Sequence, residues 1–573
     1  MEEKERQRTA IVIGAGVGGV ATAARLAKAG FRVTVVEKND FTGGRCSLLH
    51  HDGYRFDQGP SLLLIPRFFH EIFHDLGTSL SAEGVKLYKC DPNYNIWFGD
   101  GENFKLSTDV AAMKTEIEKW EGVDGYERYL GFLQECHRHH EISVKHVLRK
   151  NFASFWNMLD WEFLGQLFQL HPFESIYSRA SKYFWTERLR RVFTFGSMYL
   201  GMSPFDAPGT YSLLQYTELA EGIWYPEGGF HKIVEALVNV GERLGVDYLL
   251  STPITTITTS ASGTATGVVL ASGKHLTADV VVCNADLVYT YQNLLPPSSY
   301  ASSLSKRSAS CSSLSFYWAL SRKVPELSAH NIFLADAYRS SFDSIFKEHL
   351  IPHEPSFYVN VPSRIDPTAA PASRDALVVL VPVGHLLPSP DPNSEIHAGT
   401  TPGAPPAAST QDWESMIALA RRTILATIAS RTGVNVEASI TYEALNSPLT
   451  WKRKFNLDRG AILGLSHSFF NVLCFRPATR HAKIRGLYFV GASTHPGTGV
   501  PVVLAGSKIT SEQVLRDYEV DVPWEKAAVW KRKEGELDRV RAGPRMSWVH
   551  VVALVMLAMM MMMLVGLEWR FGG

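Results

Sequence analysis

At 573 residues, with 57 Lys and Arg against 57 Asp and Glu, the chain is long enough for several domains and has no net charge to recruit nucleic acid or a bulk acidic partner. Its six cysteines (Cys46, Cys90, Cys136, Cys283, Cys311, Cys474) are scattered without a C-x-x-C pair or any metal-type spacing, which argues against a metal site and fits a reduced, cytosol-facing body. The charged start MEEKERQR enters an apolar run almost at once, leaving no room for a secretory signal or a long transit peptide.

That run, Ala10 to Ile13, leads into Gly14-x-Gly16-x-x-Gly19, a helix pattern through Ala23 and Leu26 to Gly30, then Val33, Val35 and Glu37. Strand, helix, second strand and acidic residue fall in register as one β-α-β unit, the context that turns a glycine run into a dinucleotide fingerprint. Gly14 permits the tight turn, Gly16 lets the backbone approach a pyrophosphate, and Gly19 with Ala21, Ala23 and Ala24 lets the helix pack closely. The phosphates are expected at the helix N-terminus, where free N–H groups and the helix dipole favour negative charge. Glu37 is placed to accept from a ribose hydroxyl, which argues against a 2′-phosphate. Gly43-Gly44-Arg45 adds a second glycine turn and a cation near the expected diphosphate.

Next comes Asp57-Gln58-Gly59-Pro60-Ser61, a sharp turn before the apolar run Leu62 to Ile65. Residues 76–219 read as mainly helical and carry Trp97, Trp120, Trp156, Trp161 and Trp185, a helical cap over a substrate cavity or simply core. Gly222 to Gly229 opens an amphipathic helix (Phe230, Ile233, Ala236, Leu237, Val240), and Ala278 to Asp286 is a buried strand running into a polar turn. The expected nucleotide domain is therefore discontinuous, made of residues 1–75, 220–300 and 460–520. A mixed substrate domain at 301–459 has strand candidates at Ser313 to Leu320, Phe357 to Val361 and Ala376 to Val383, and a Pro-rich loop at 388–411 is expected to be flexible. Leu487 to Val490 ends in Gly491-Ala-Ser-Thr-His495-Pro496-Gly497-Thr-Gly499, with a helix opening near Val502: a second strand, glycine loop and helix N-terminus suited to an electron-rich group.

A basic linker at 521–545 precedes 547–567, in which His550 is the only ionisable residue. A helix of that length spans about 31 Å, close to the hydrocarbon thickness of a bilayer. The expectation is a C-terminal transmembrane helix, a tail anchor with the catalytic body facing the cytosol, as on the endoplasmic reticulum or another internal membrane.

With these motifs in hand, the chain resembles the bacterial and fungal phytoene desaturases of the FAD-dependent amine oxidase-like superfamily. The likeness rests on the opening fingerprint through Arg45, on Asp57 to Ser61, Tyr225-Pro-Glu-Gly228-Gly229, Asn284-Ala-Asp286 and Phe475-Arg476-Pro477, and above all on Gly486 to Pro501. It implies an α/β fold with a Rossmann-type, glutathione reductase-like domain holding FAD noncovalently. Gly14, Gly16, Gly19, Glu37, Gly44 and Arg45 then serve the ADP half. Gly59, Pro60, Ser61, Gly491, His495, Pro496, Gly497 and Gly499 lie near the flavin.

The implied activity is stepwise introduction of double bonds into phytoene, giving lycopene or a related conjugated carotene. An apolar tunnel would recognise a substrate without a polar handle, and phytoene and partly desaturated carotenes would come from the lipid membrane. Quinone or oxygen would reoxidise the flavin, since no second NAD fingerprint is visible. A base is needed in principle; His495 is a weak candidate, because a His beside Pro in a glycine loop is at least as readily structural. A carotenoid isomerase or polyene saturase shares these motifs. A monoamine oxidase would show a cysteine for covalent flavin where Ser493 to His495 stand, and a non-enzymatic prenyl-binding escort would lack the intact fingerprint.

Overall fold

The computed structural model describes residues 6–152, 161–387 and 411–528. Two sheets organise it. The first is a five-stranded, wholly parallel sheet in the order Leu487–Phe489, Val280–Cys283, Thr9–Ile13, Arg32–Val36, Asp247–Leu249. It gathers strands from the beginning, middle and end of the described chain. The helix Val17–Lys28 lies between this sheet and the helices His231–Arg243 and Val500–Asp517, so every residue from Gly18 to Ala27 is buried. Only a surface of Gly and Ala lets backbones come this near on several sides, which is why the opening helix is so poor in large side chains.

The second sheet has seven strands in the order Ile440–Asn446, Ser312–Leu320, Asp375–Val383, Phe357–Asn360, His330–Phe333, Tyr94–Trp97, Asn103–Leu106. All pairings are antiparallel except that between His330–Phe333 and Tyr94–Trp97. Ser312–Leu320 is buried at every position. One face packs Phe316 and Trp318 against Ile424 and Ile428 of the helix Trp413–Thr432, and the other packs Tyr317 and Ala319 against Tyr54 and Phe56. A strand covered on both faces reads as continuous apolar sequence rather than alternation.

The helix Trp413–Thr432 is capped by Asp412, whose side chain accepts from the Ser415 N–H. The segment 76–219 is not helical throughout. Its first third forms strands, two of them the edge of the seven-stranded sheet, because Tyr94, Ile96, Phe104 and Leu106 bury one apolar face there. The helices Val110–Glu121 and Gly125–Ser143 and the shorter turns after them pack on that edge.

The expectation of a single-pass, C-terminally anchored protein is corrected. No helix among the described residues is long and apolar enough to cross a membrane. The longest, Trp413–Thr432, carries Glu414, Arg421, Arg422 and Arg431. Residues 547–567, on which that expectation rested, lie outside the described residues, as do 388–410 of the Pro-rich loop and the linker beyond 528.

One ion network ties the opening helix to its neighbours. Arg25, only 1% exposed, donates to Asp75 Oδ2 (2.9 Å), to Ser507 Oγ (2.9 Å) and to the Leu504 carbonyl (3.3 Å), while Lys508 reaches Asp75 Oδ1 (3.0 Å) and Glu71 (2.7 Å). Removing one partner strands a buried charge. Arg25→Met is expected to lower the unfolding free energy by about 3 kcal/mol, read from chemical denaturation beside the wild type.

Candidate active site

The C-terminal ends of the three central parallel strands converge on one cavity of about 480 Å³. A crevice at the carboxyl ends of parallel strands is where such sheets bind ligands. At the end of Thr9–Ile13, Gly14 takes φ +91° and Gly19 packs so closely that a Cβ on it would lie 2.0 Å from the Gly14 carbonyl oxygen. The Gly43 N–H donates to the Ala15 carbonyl (2.7 Å), which joins the second glycine turn to the first. At the end of Arg32–Val36, the Glu37 carboxylate is buried and accepts the Ala15 N–H (2.8 Å), the Asn39 N–H (2.9 Å) and the Asn39 amide (2.9 Å). It braces the glycine turn as well as facing the cavity.

The end of Val280–Cys283 brings Asn284, whose side chain fits against the first turn: its Nδ2 lies 2.7 Å from where a Gly16 Cβ would stand. Asp286 also lines the cavity. Burial pushes its carboxyl up to about 7, with Asp458 adding to the shift and Arg45 opposing it. Arg45 itself has no hydrogen-bond acceptor among the described residues, and burial lowers its pKa, with Cys46 and Asp286 opposing the shift.

From the last strand, Gly491 to Thr494 and then Thr498 to Val503 complete the wall, with the N-terminus of Val500–Asp517 among them. This loop is clamped by Arg476, 2% exposed and without a carboxylate partner among the described residues. Its guanidinium donates to the carbonyls of Thr494 (3.3 Å), Ala492 (2.5 Å), Leu465 (3.4 Å), Ser466 (3.2 Å) and Asn471 (2.7 Å). Burial lowers its pKa to about 10, which leaves it a cation at neutral pH.

Beyond the turns the wall becomes apolar, with Leu64, Phe195, Met198, Leu214, Ile332 and Leu380. Hydroxyls interrupt it, among them those of Ser61, Tyr199 and Tyr358.

Of the residues expected from sequence, Gly14, Gly16, Glu37, Gly44, Arg45, Gly59, Pro60, Ser61, Gly491 and Gly499 line this one cavity. Gly19 stands behind it as the packing contact. His495, Pro496 and Gly497 are not on its wall. The His495 Nε2 bonds the Lys150 carbonyl (2.8 Å), its ring sits edge-on to Phe152, and burial lowers its pKa to about 4. A neutral imidazole fixed to a main-chain carbonyl is a structural group.

Sequence reasoning did not single out Asn284, Asp286 or Arg476 as site residues, although each stands in a quoted motif. Tyr199 and Tyr358 had no local signal at all. Glu135, His139 and His171 place ligand atoms within 4.8 Å of one another. Two of the three are already engaged, because Arg179 and Tyr183 donate to Glu135 while His139 bonds Ser212 (2.7 Å) and the Gln169 carbonyl (2.8 Å). The guanidinium beside them also repels a cation.

The parallel sheet with a glycine-lined crevice defines a flavin-dependent oxidoreductase: residues 17–309 match the family described as flavin containing amine oxidoreductase. A solved putrescine oxidase variant shares the fold with a TM-score of 0.57 at 15% identity, over 89% of this chain and 99% of its own. Phytoene desaturases are far more alike in sequence. That of Fusarium fujikuroi is 66% identical over 540 residues, covering 93% of this chain and 94% of its own length. That of Neurospora crassa is 57% identical over 539 residues, covering 91% and 88%. The chain belongs to the phytoene desaturase family, as an FAD-dependent oxidoreductase acting on CH–CH groups.

Because Arg476 holds five carbonyls that would otherwise repel one another or seek water, Arg476→Met is expected to loosen the Gly491 to Gly499 loop. Purified protein should retain FAD at least about tenfold less tightly, equivalent to 1.4 kcal/mol, measured by flavin fluorescence on dilution.

Proposed function

We propose that this cavity holds FAD and phytoene end to end, and that the enzyme introduces successive double bonds to give lycopene or a related conjugated carotene. The observation that carries the reading is that a single cavity is walled at one side by bare glycine turns and a cation and at the other by apolar side chains. The first side suits the diphosphate. Gly14, Gly16 and Gly44 offer main chain without side chains, Arg45 supplies a guanidinium with no acceptor among the described residues, and Glu37 keeps one lone pair on Oε2 for a ribose hydroxyl. Gly59, Pro60, Ser61, Gly491 and Gly499 would border the flavin. When bound, FAD supplies the two-electron oxidant for a CH–CH pair.

The residues of the chain do the rest. The apolar wall takes a hydrocarbon that offers nothing to hydrogen-bond, so fit and exclusion of water carry recognition. At about 0.8 kcal/mol per buried CH₂, a forty-carbon substrate does not travel free through water, and we place its source in a lipid phase. Quinone or oxygen as the final acceptor is part of the same proposal, since the chain carries no second dinucleotide fingerprint.

The test is pigment extracted from phytoene-accumulating bacterial cells that express the protein. Coloured extract with polyene vibronic bands is expected, and the band positions count the double bonds added. Colourless extract beside folded, FAD-loaded protein would overturn the proposal.

A further inference from the structure

Desaturation leaves a proton to be removed, and His495 is not at the cavity. Among the hydroxyls on the cavity wall, those of Ser61 and Tyr358 belong to a limb that ends in no proton acceptor. Tyr358 Oη lies 2.7 Å from Ser61 Oγ and 2.7 Å from His330 Nδ1, and the other ring nitrogen of His330 meets Cys90 Sγ at 3.3 Å. Burial lowers the His330 pKa to about 3 and raises the Cys90 thiol to about 12, so neither exchanges a proton near neutral pH.

Tyr199 differs. Its hydroxyl donates to Tyr94 Oη at 2.5 Å, and Tyr94 Oη donates to Glu218 Oε1 at 3.1 Å. The three groups form a hydrogen-bonded chain from the cavity wall to a carboxyl that is 3% exposed. Glu218 has no ion-pair partner among the described residues. The groups that face it are Tyr94 and Asn93 beside the sheet edge, Tyr199, Cys136 of the helix Gly125–Ser143, and, across Tyr94, His330 and Tyr358. None is a cation at neutral pH. A buried, unpaired carboxyl is costly and calls for a role beyond packing.

We propose that Tyr199, Tyr94 and Glu218 form the proton exit of the desaturation, an inference that rests on the reading of the cavity above. As one hydrogen leaves the substrate with its electron pair to the oxidant the activity supplies, the neighbouring C–H bond breaks and its electron pair becomes the new C=C bond. The proton goes to Tyr199 Oη, the Tyr199 proton passes to Tyr94 Oη, and the Tyr94 proton passes to the Glu218 carboxylate, which becomes the acid. Tyr199 is the catalytic residue; Tyr94 and Glu218 act through it. A hydroxyl is a weak base, but a carbon beside an electron-poor centre is a strong acid, so the demand on it is small.

Burial pushes the Glu218 carboxyl up to about 8. The relay needs the carboxylate, whose fraction grows with pH, so turnover should rise through a midpoint near that value. In FAD-loaded protein, Glu218→Gln and Tyr94→Phe should each lose about a hundredfold at pH 9 and flatten the profile, with no further loss in the double variant.

A second readout is independent of turnover. Native Glu218 keeps a proton that the unfolded chain, at its usual 4.5, gives up. Wild-type stability should therefore fall relative to Glu218→Gln as pH rises from 4.5 to about 8, seen as a growing gap in thermal midpoints. A rising pH limb that survives in Glu218→Gln, or a Tyr94→Phe enzyme that turns over like the wild type, overturns the relay. Should Glu218→Gln fail to load FAD, Tyr94→Phe, which loses one oxygen and keeps its ring, decides the matter. A wild type that makes no coloured carotene overturns the underlying reading instead.

Discussion

The rest of the molecule depends on how closely three strand ends approach one another. A Cβ at Gly19 would stand 2.0 Å from the Gly14 carbonyl oxygen, and one at Gly16 would stand 2.7 Å from the Asn284 amide. Contacts that near leave no room for a side chain, and they hold the turn after the first strand against the turn after the strand Val280–Cys283. The Glu37 carboxylate secures the same turn from the other side through the Ala15 N–H. A crevice defined by main chain rather than by rotamers is rigid before any ligand arrives, which lowers the cost of binding one.

Two buried cations show how differently charge can be accommodated. Arg25 is neutralised by Asp75 and serves cohesion, fastening the opening helix to Pro66–Asp75 and Val500–Asp517. Among the described residues Arg476 hydrogen-bonds only to carbonyl oxygens, and it stays positively charged. The dipoles of five peptide groups take the place of a carboxylate, and the geometry they demand shapes the last loop of the cavity wall. Charge thus positions backbone in both places, but of these two cations it is Arg476 that leaves a net positive field beside the site.

At the apolar end, burial decides what each polar group can do. It makes His495 and His330 neutral spectators with fixed hydrogen bonds, and it brings Glu218 into the physiological range. Burial therefore silences the imidazoles and tunes the carboxyl. Hydroxyls suit such a wall, since each passes a hydrogen bond onward without carrying charge into a hydrocarbon environment.

The sequence by itself determined the local units and the family. The first β-α-β unit, the strand and glycine loop at 487–499, and the strands near 312–320 and 375–383 are legible because spacing, glycine placement and apolar runs constrain neighbours within one turn or one strand. Most of the glycines at the cavity were legible for the same reason. Only the tertiary structure decided which residues meet. It turned His495 toward Lys150, joined residues 94–106 to a sheet whose other strands begin more than two hundred residues later, and buried Arg476 among carbonyls. It also brought Tyr94, Tyr199 and Glu218 from three separate stretches into one hydrogen-bonded chain. Burial and pairing across such distances follow from packing, and no periodicity in a single chain encodes them.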